Sequence, residues 1–513
     1  MFAKVHSAGL LGVQAYPISV EIDINVQSLP HWSTVGLADS SVKESKDRVI
    51  AAIKNSGYEF LYRKVTINLA PADTRKDGTA HDLPIALGLL VASELLTQDQ
   101  LDDTLVLGEL GLTGRLRPVR GTLPIAIMAR DKKIRRLIVP RDNAHEAAVV
   151  GGIEIYAFEK LCDVVEFLAG RAEFKPVAPL KFNHQNENSG LCLDFSDIRG
   201  QHQAKRAIEI SAAGGHNILL SGPPGSGKTM LASRIPTILP PLSFEESLET
   251  SKIYSVTGRL HKSFSLVTAR PFRSPHHSVS AGGLIGGGSQ PQPGEVSLSH
   301  NGVLFLDELP EFPRHVLELL RQPLEDQRVT IARTSSTLEF PARFMLVASC
   351  NPCPCGFSGH PQKSCQCTPL AAQKYRNKLS GPLLDRIDLK VDVPPVNYED
   401  LRGNKKSGDS SESIRKRILK TREAQQERFG KNGTYLNSQM SPKQIEVFCR
   451  LDSSDELILK TAMEKYHLSG RGIHRILKVA RTIADLESHP CIKTPHLFEA
   501  IQYRCVENPS PLF

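Results

Sequence analysis

The sequence predicts an α/β fold, with a phosphate-binding core built on buried parallel strands and a separate α/β or α+β domain ahead of it. Three observations predict this. Residues 217–232 read NILLSGPPGSGKTMLA, an apolar run suited to a buried parallel strand, then a glycine-rich loop, then a helix-compatible segment. Residues 302–309 read GVLFLDEL, a second buried-strand run that ends in two carboxylates. From residue 1 to about 170, short β-like runs (Val20 to Val26, Val65 to Asn68, Leu137 to Val139) alternate with helical stretches such as Ser40 to Asn55 and Leu83 to Leu95, with no nucleotide motif among them.

Size and composition bound the rest. At 513 residues the chain exceeds one ordinary core, which predicts roughly two to four domains. Hydrophobic residues make up 40% and charged residues 23%, the balance of a soluble globular protein. MFAKVHSAGLLGV is too short and polar for a cleavable leader and no apolar run is long enough to span a bilayer, so a cytoplasmic protein with no membrane partner is expected. The net charge of +8 is uneven, since residues 401–450 carry 12 Lys or Arg against 5 Asp or Glu. Such a segment suits nucleic acid, and equally a solvated helix face laced with ion pairs; charge alone leaves both open.

The loop Gly222, Pro223, Pro224, Gly225, Ser226, Gly227, Lys228, Thr229 spells G-x-x-x-x-G-K-[ST]. Glycines let the backbone turn its amides toward phosphate oxygens, and the following helix N-terminus adds partial positive charge. Lys228 supplies a full charge and Thr229 a hydroxyl for magnesium. A nucleoside triphosphate is therefore the expected ligand. Asp307 is suited to hold magnesium through water, and Glu308 to orient and deprotonate an attacking water.

Residues 171–191 are rich in proline, asparagine and polar residues, which predicts an interdomain linker over 171–193. Residues 270–302 hold Gly282, Gly283, Gly286, Gly287 and Gly288, too many for a stable helix or strand through the centre and the mark of a functional or disordered insertion. His276 and His277 lack carboxylates at metal-ligand spacing and read as structural or surface residues. Residues 327–343 alternate apolar and polar positions on both sides of a polar turn, which predicts a β-hairpin with Arg333 at or near its tip. A further buried strand ends in Asn351, able to hold a water. Arg386 follows in GPLLDRIDL, and Arg471 and Arg475 share a helix face in GRGIHRILKVARTIAD.

Cys353, Cys355, Cys365 and Cys367 fall as C-x-C-x9-C-x-C. Two close pairs of thiolates can supply the four corners that zinc takes, and His360 could replace one; the alternative is four reduced cysteines in a loop. Such an ion would stiffen the loop and not catalyse.

Two resemblances extend this reading. Lys76 to Ala80 and the downstream GRLRPVRGTLPIAIMARDKKIRRLIVPRDN look like the nucleophile and lysine segments of Lon-type proteases. The serine position falls on Ala80 and the lysine position on Ile125, neither able to perform the chemistry. The resemblance implies a Lon-protease-like (ribosomal protein S5 domain 2-like) α+β domain over 1–170 without peptidase activity. The phosphate loop, the strand with Asp307 and Glu308, and the strings PFRSPHH, CNPCPCG and SGPLLDRIDL resemble the AAA+ ATPases, and among them the YifB/ComM family of magnesium-chelatase-like proteins over essentially the whole chain. That resemblance implies an AAA+ P-loop ATPase core over 194–400 and a C-terminal helical lid over 401–513. It implies Gly200 and Gln201 as the adenine-contacting segment, Asn351 as sensor 1, Arg386 as arginine finger, Arg471 as sensor 2, with Arg475 the weaker candidate, and Arg333 as a DNA-facing residue. Because an arginine finger acts on a neighbour's nucleotide, it further implies a homo-oligomeric ring, a hexamer. ATP and magnesium are the implied cofactors, with zinc at the cysteines. The implied function is a DNA motor, a helicase or branch-migration factor in natural transformation. The alternatives are a chelatase-type ATPase that remodels a partner protein, and a Lon-like chaperone.

Overall fold

Ile18, Val20, Ile22 and Ile24 are buried and alternate with polar residues along one strand, so half-burial on a sheet face is written directly into the sequence. In a computed structural model, which describes residues 1–25, 27–37, 39, 42, 44–60, 63–74, 76, 78–180, 193–260, 266–288, 291–332, 337–360, 363–396, 409–430 and 436–505, the chain divides into two units. One comprises Met1–Gln185 with Ser243–Thr268, the other Asn186–Leu242 with Ala269–Phe513.

The first unit holds a mixed seven-stranded sheet. Its strands are β1 (Phe2–Leu11), β2 (Gln14–Asn25), β3 (His31–Val35), β4 (Lys64–Ala70), β5 (Thr104–Val106), β6 (Arg136–Pro140) and β7 (Glu154–Phe158), in the order β3-β4-β2-β1-β5-β6-β7. β2 pairs antiparallel with β1 and β4, and the remaining pairs are parallel. Helices α1 (Ser45–Asn55), α2 (Asp82–Ala92), α3 (Thr122–Asp131) and α4 (Leu161–Leu168) belong to the same unit. Every residue of α2 is buried, which accounts for its unbroken apolar run. Ile125 lies inside an apolar cluster against which Ala80 packs, so hydrocarbon fills the place where the resemblance puts a serine and a lysine.

Sequence reasoning assigns residues 243–268 to the ATPase core, yet the structure groups them with the N-terminal unit. The helix Phe244–Val256 is mostly polar, and its Ser247, Thr250, Ser251 and Ser255 are buried. The Ser255 hydroxyl donates to the Glu146 carboxylate, which also accepts from the Leu123 amide at 3.0 Å and the Asn143 side chain at 3.2 Å. Burial pushes the Glu146 carboxyl up, and these hydrogen bonds oppose that shift. A buried polar network of this kind leaves no hydrophobic period in the sequence.

The second unit is built on β8 (Ile218–Ser221), β9 (Phe272–Arg273), β10 (Val303–Leu306), β13 (Met345–Cys350) and β14 (Leu389–Asp392), in the order β9-β10-β13-β8-β14, with all pairs parallel. β10 and β13 are buried throughout, as continuous apolar strands of a covered parallel sheet are. α5 (His202–Gly214) precedes β8 and α6 (Lys228–Ile238) follows it. β11 (Arg328–Ala332) and β12 (Thr337–Pro341) form an antiparallel hairpin preceded by α7 (Arg321–Asp326). Within the glycine-rich insertion stand the short helix Ala281–Ile285 and a two-residue ladder between Gly286–Gly287 and Gln292–Pro293, more order than the glycine count suggests. The described part of the C-terminal segment is helical, with α8 (Ser411–Phe429), α9 (Ser453–Tyr466), α10 (Gly470–Leu486) and α11 (Thr494–Arg504) sharing one core with the sheet.

Candidate functional site

β8 lies between β13 and β14, with every strand end on the same side of the sheet. A strand flanked by later strands on both sides marks a switch point of an open parallel sheet, where a crevice forms beyond the carboxyl ends. The glycine-rich loop opens there. Gly225 and Gly227 have φ of 78° and 91°, with no atom within 4 Å of where a Cβ would stand. That freedom lets amides turn toward an anion, and Gly227 caps α6 so that the helix N-terminus faces the loop. Ahead of α5, Gln201 has a left-handed φ of 55°, and its side-chain amide donates to the carbonyls of Pro394 at 2.6 Å and Ser226 at 3.4 Å.

Lys228 is 8% exposed, and its Nζ donates to the carbonyls of Gly222 (2.7 Å) and Pro223 (2.9 Å) and to Oδ1 of Asn351 (3.2 Å). Burial lowers the Lys228 ammonium while Asp307 and Glu308 raise it. Neutral oxygens are weak partners for an ammonium, and the cradle fits a phosphate anion better. Thr229 Oγ1 donates to Oδ2 of Asp307 at 2.8 Å. A hydroxyl and a carboxylate in contact are the hard ligands that magnesium takes together with water and phosphate.

Ser349, which sequence reasoning missed, organises the acidic pair. Its hydroxyl donates to Oδ1 of Asp307 and accepts the Glu308 amide at 3.1 Å. The available signal is a small polar residue within an otherwise apolar strand. Glu308 has φ of 53°, a left-handed conformation held by Ser349 and by the Asp307 carboxylate, whose Oδ1 accepts the same amide at 3.1 Å. The Glu308 side chain is half exposed, and its Oε2 stands 3.9 Å from Nδ1 of His277. His277 in turn lies 3.9 Å, ring to ring, from His276 and edge-on to Phe312. The structural or surface role expected for this histidine pair thus omits its contact with the acidic motif.

The arginines divide. Arg386 is buried, donating to Glu325 at 2.6 Å and to the Pro382 carbonyl at 2.6 Å. Arg471 is 72% exposed and approaches the same Glu325 oxygen at 3.5 Å. Arg475 is bound to Asp388. Burial raises the Asp388 carboxyl, but Arg475, His216 and the Asn217 amide outweigh it and hold the group well below the usual carboxylate range. Arg333 lies outside the described residues. Within the basic segment, Arg417 pairs with Glu209 and Asp409, Arg422 donates to the Ala212 carbonyl, and Arg428 pairs with Asp485. These three cations are paired within the unit, Arg417 with its side chain still 43% exposed.

The four Sγ atoms of Cys353, Cys355, Cys365 and Cys367 lie within 4.8 Å of one another. Cys353 to Cys355 is 3.3 Å, Cys355 to Cys365 is 3.5 Å and Cys353 to Cys365 is 3.7 Å. Amides of Phe357 and Gln366 lower the Cys355 thiol to about 6. His360, the alternative to one of the four thiols, stands outside the cluster and accepts the Lys363 amide through Nδ1. Glu487, His489 and His496 also gather, but His496 accepts the Lys493 amide at Nδ1 and meets Glu487 through Nε2. Both of its ring nitrogens are committed, which leaves no ligand atom for a metal. Among the described residues no helix is long and apolar enough to cross a membrane.

Three family models match the chain: "Magnesium chelatase, subunit ChlI" over residues 194–401, "Subunit ChlI of Mg-chelatase" over 20–143 and "Magnesium chelatase, subunit ChlI C-terminal" over 408–504. The competence protein ComM of Haemophilus influenzae is 45% identical over 507 residues, covering 98% of this chain and 97% of its own. YifB of Escherichia coli is 45% identical over 506 residues, with the same coverage of each chain. A Lon protease of Protochlamydia amoebophila is 31% identical over 118 residues, 22% of this chain and 14% of its own. A phosphate loop at a parallel-sheet switch point, an acidic strand end beside it and likeness along nearly the full length converge: the chain belongs to the YifB/ComM family of magnesium-chelatase-like AAA+ ATPases.

Proposed function

We propose that the protein is an ATP-driven motor that assembles as a homo-oligomeric ring, a hexamer, and acts on DNA as a helicase or branch-migration factor. The observation that carries the ATPase part is the convergence of Lys228, Thr229, Asp307 and Asn351 on one loop, with Glu308 pinned beside them. In this reading the amides from Gly222 to Gly227 and Lys228 bind the phosphates. Thr229 and Asp307 would hold magnesium, which supplies charge neutralisation when bound. Glu308 accepts a proton from water, and Asn351 orients that water.

Arg386 acts on the neighbouring protomer's nucleotide and Arg471 on its own, so the active unit is an interface. DNA as partner is supported by the likeness to a competence protein and by the β11–β12 hairpin, between whose strands Arg333 falls in the sequence. DNA gripped through its phosphates should bind with steep salt dependence and little sequence preference. Zinc at the four cysteines belongs to the same reading, as does an N-terminal Lon-like domain without peptidase activity.

The family descriptions favour one second reading, a chelatase-type ATPase that remodels a partner protein. Stimulation separates the two. Turnover should rise with single-stranded or branched DNA in the first case and only with a chelatase partner in the second. Strand-displacement and branch-migration assays with wild type, Lys228→Ala and Glu308→Gln test the motor directly. A wild type that hydrolyses ATP but moves no DNA substrate and gains nothing from polynucleotide sinks it.

A further inference from the structure

The cysteine loop and the phosphate loop meet. β13 ends at Cys350, whose carbonyl accepts the Gly222 amide at 3.2 Å. Asn351 reaches Lys228, and the first cysteine follows two residues later. The chain then makes a tight turn in which the Gly356 amide bonds the Cys353 carbonyl at 2.9 Å. Gly356 has φ of 80°, and a Cβ there would stand 2.4 Å from Cδ and 2.7 Å from Cγ of Pro224. No side chain other than hydrogen fits between this turn and the phosphate loop.

The sulfur positions are those of a metal site. A tetrahedron with zinc–sulfur bonds of about 2.3 Å has edges of about 3.8 Å, and the separations of 3.3, 3.5 and 3.7 Å among Cys353, Cys355 and Cys365 lie at or somewhat inside that edge. They exceed by far the ~2.05 Å of a disulfide bond. Two sulfurs also accept backbone amides, Cys353 from Ser358 at 3.3 Å and Cys367 from Cys355 at 3.4 Å, which is the outer-shell support that thiolate ligands require. Cys353 is fully buried while Cys365 is exposed, so the ion would tie a far, exposed limb of the loop back to a rooted one. Beyond the fourth cysteine, Thr368 immediately caps the helix Pro369–Arg376, which fixes the other end.

We infer that the protein carries a structural zinc ion at Cys353, Cys355, Cys365 and Cys367, and that the zinc-held turn at Gly356 braces the phosphate loop through Pro224. The inference rests on the ATPase reading for the identity of what the loop binds. Its consequence is that the metal governs nucleotide affinity without touching the nucleotide. With the ion in place, the turn cannot retreat and Pro224 holds the loop's shape before ligand arrives. Without it, four thiols relax and the loop must be ordered at the moment of binding.

The test uses the full chain, purified without a histidine tag, with zinc measured by elemental analysis and nucleotide binding by titration with a fluorescent ATP analogue in EDTA-free buffer. Wild type should hold one zinc per chain. The double variant Cys365→Ser, Cys367→Ser, made at the outer limb, should lose the zinc and bind the analogue about tenfold more weakly, the lower end of what disturbing a close-packed contact costs. Gly356→Ala should keep its zinc and still lose a comparable factor, because it pushes on Pro224 from an intact site. Zinc-free wild type with four freely reactive thiols overturns the metal site. Zinc-loaded wild type whose double variant and Gly356→Ala both bind nucleotide at wild-type strength overturns the brace. A wild type that holds zinc but binds no nucleotide instead overturns the ATPase reading, and the brace with it, while the metal site stands.

Discussion

Arg386 donates to Glu325 across 2.6 Å, and the same carboxylate oxygen meets Arg471 at 3.5 Å. The two arginines assigned to nucleotides therefore converge, within one chain, on an acid in α7, the helix that leads into the β11–β12 hairpin. Arg386 is turned inward, and reaching a neighbour's phosphate requires breaking this pair.

Arg386→Ala should lower kcat for ATP by about a thousandfold, the scale of a lost arginine finger. Glu325→Gln should raise turnover of the assembled protein by about threefold, since a half-exposed pair contributes little more than that. Steady-state hydrolysis measured across protein concentration checks both. Unchanged turnover in Arg386→Ala removes the finger role.

Lys228→Ala and Glu308→Gln should fail differently. The first loses the positive charge of the phosphate cradle and should no longer bind a fluorescent nucleotide at micromolar protein. The second should bind normally while turnover falls by about two to four orders of magnitude, as expected when a general base is lost. Titration and turnover on the same preparations separate the two roles.

His277 stands 3.9 Å from Glu308 and is itself packed by His276 and Phe312. If it orients that carboxylate, His277→Ala should lower kcat about tenfold with KM unchanged, a misplacement effect, whereas His277→Asn, which retains a donor, should recover most of the loss. A KM change without a kcat change would show that the residue supports binding instead.

Two buried groups, both titrating lower in the folded state than in the unfolded one, make stability fall with pH in two separate windows. Burial lowers His81 to about 4, with Lys76 adding to the shift and Asp39 opposing it. The folded state thus keeps a neutral ring, hydrogen-bonded to Ser7 at 3.1 Å, where the unfolded chain would be protonated. Stability from His81 is complete above the unfolded value of about 6.5 and falls as pH drops toward 4, a loss of about 2 kcal/mol at pH 5. His81→Asn should flatten the decline in melting temperature between pH 7 and 5.

Asp388 acts in the same sense at lower pH. Its carboxyl is held below the ordinary range by Arg475, His216 and Asn217, so its stabilisation is complete above about pH 5 and is lost only in strong acid. Asp388→Asn should destabilise the second unit by about 3–5 kcal/mol, as removing one partner of a buried pair does. Calorimetric melting at pH 7 measures it.

The phosphate loop, the acidic strand end and the cysteine spacing were legible because each is local. A strand, a glycine turn and a helix start lie within one stretch from Ile218 to Ile238, and the backbone of that stretch needs no distant partner to declare its chemistry. Strand assignments on β2, β4 and β6 were legible for a similar reason, since burial on a sheet repeats with period two or as a continuous run. Ser349, His277 and Glu325 were not, because each acts through a residue remote in the chain and has an ordinary local sequence. The placement of residues 243–268 was illegible because buried hydroxyls, Ser255 on Glu146 and Ser247 and Ser251 on the Val267 backbone, replace the apolar stripe that marks a core helix.

By itself the sequence determined that this protein carries a glycine-rich phosphate-loop motif, a strand ending in two acids and four thiols at metal spacing, since each is written in one short stretch of residues. Only the tertiary structure decided that Arg386 faces Glu325, that His277 reaches Glu308 and that Gly356 presses on Pro224. Those pairings arise when separate segments pack in three dimensions, and no spacing along the chain encodes them.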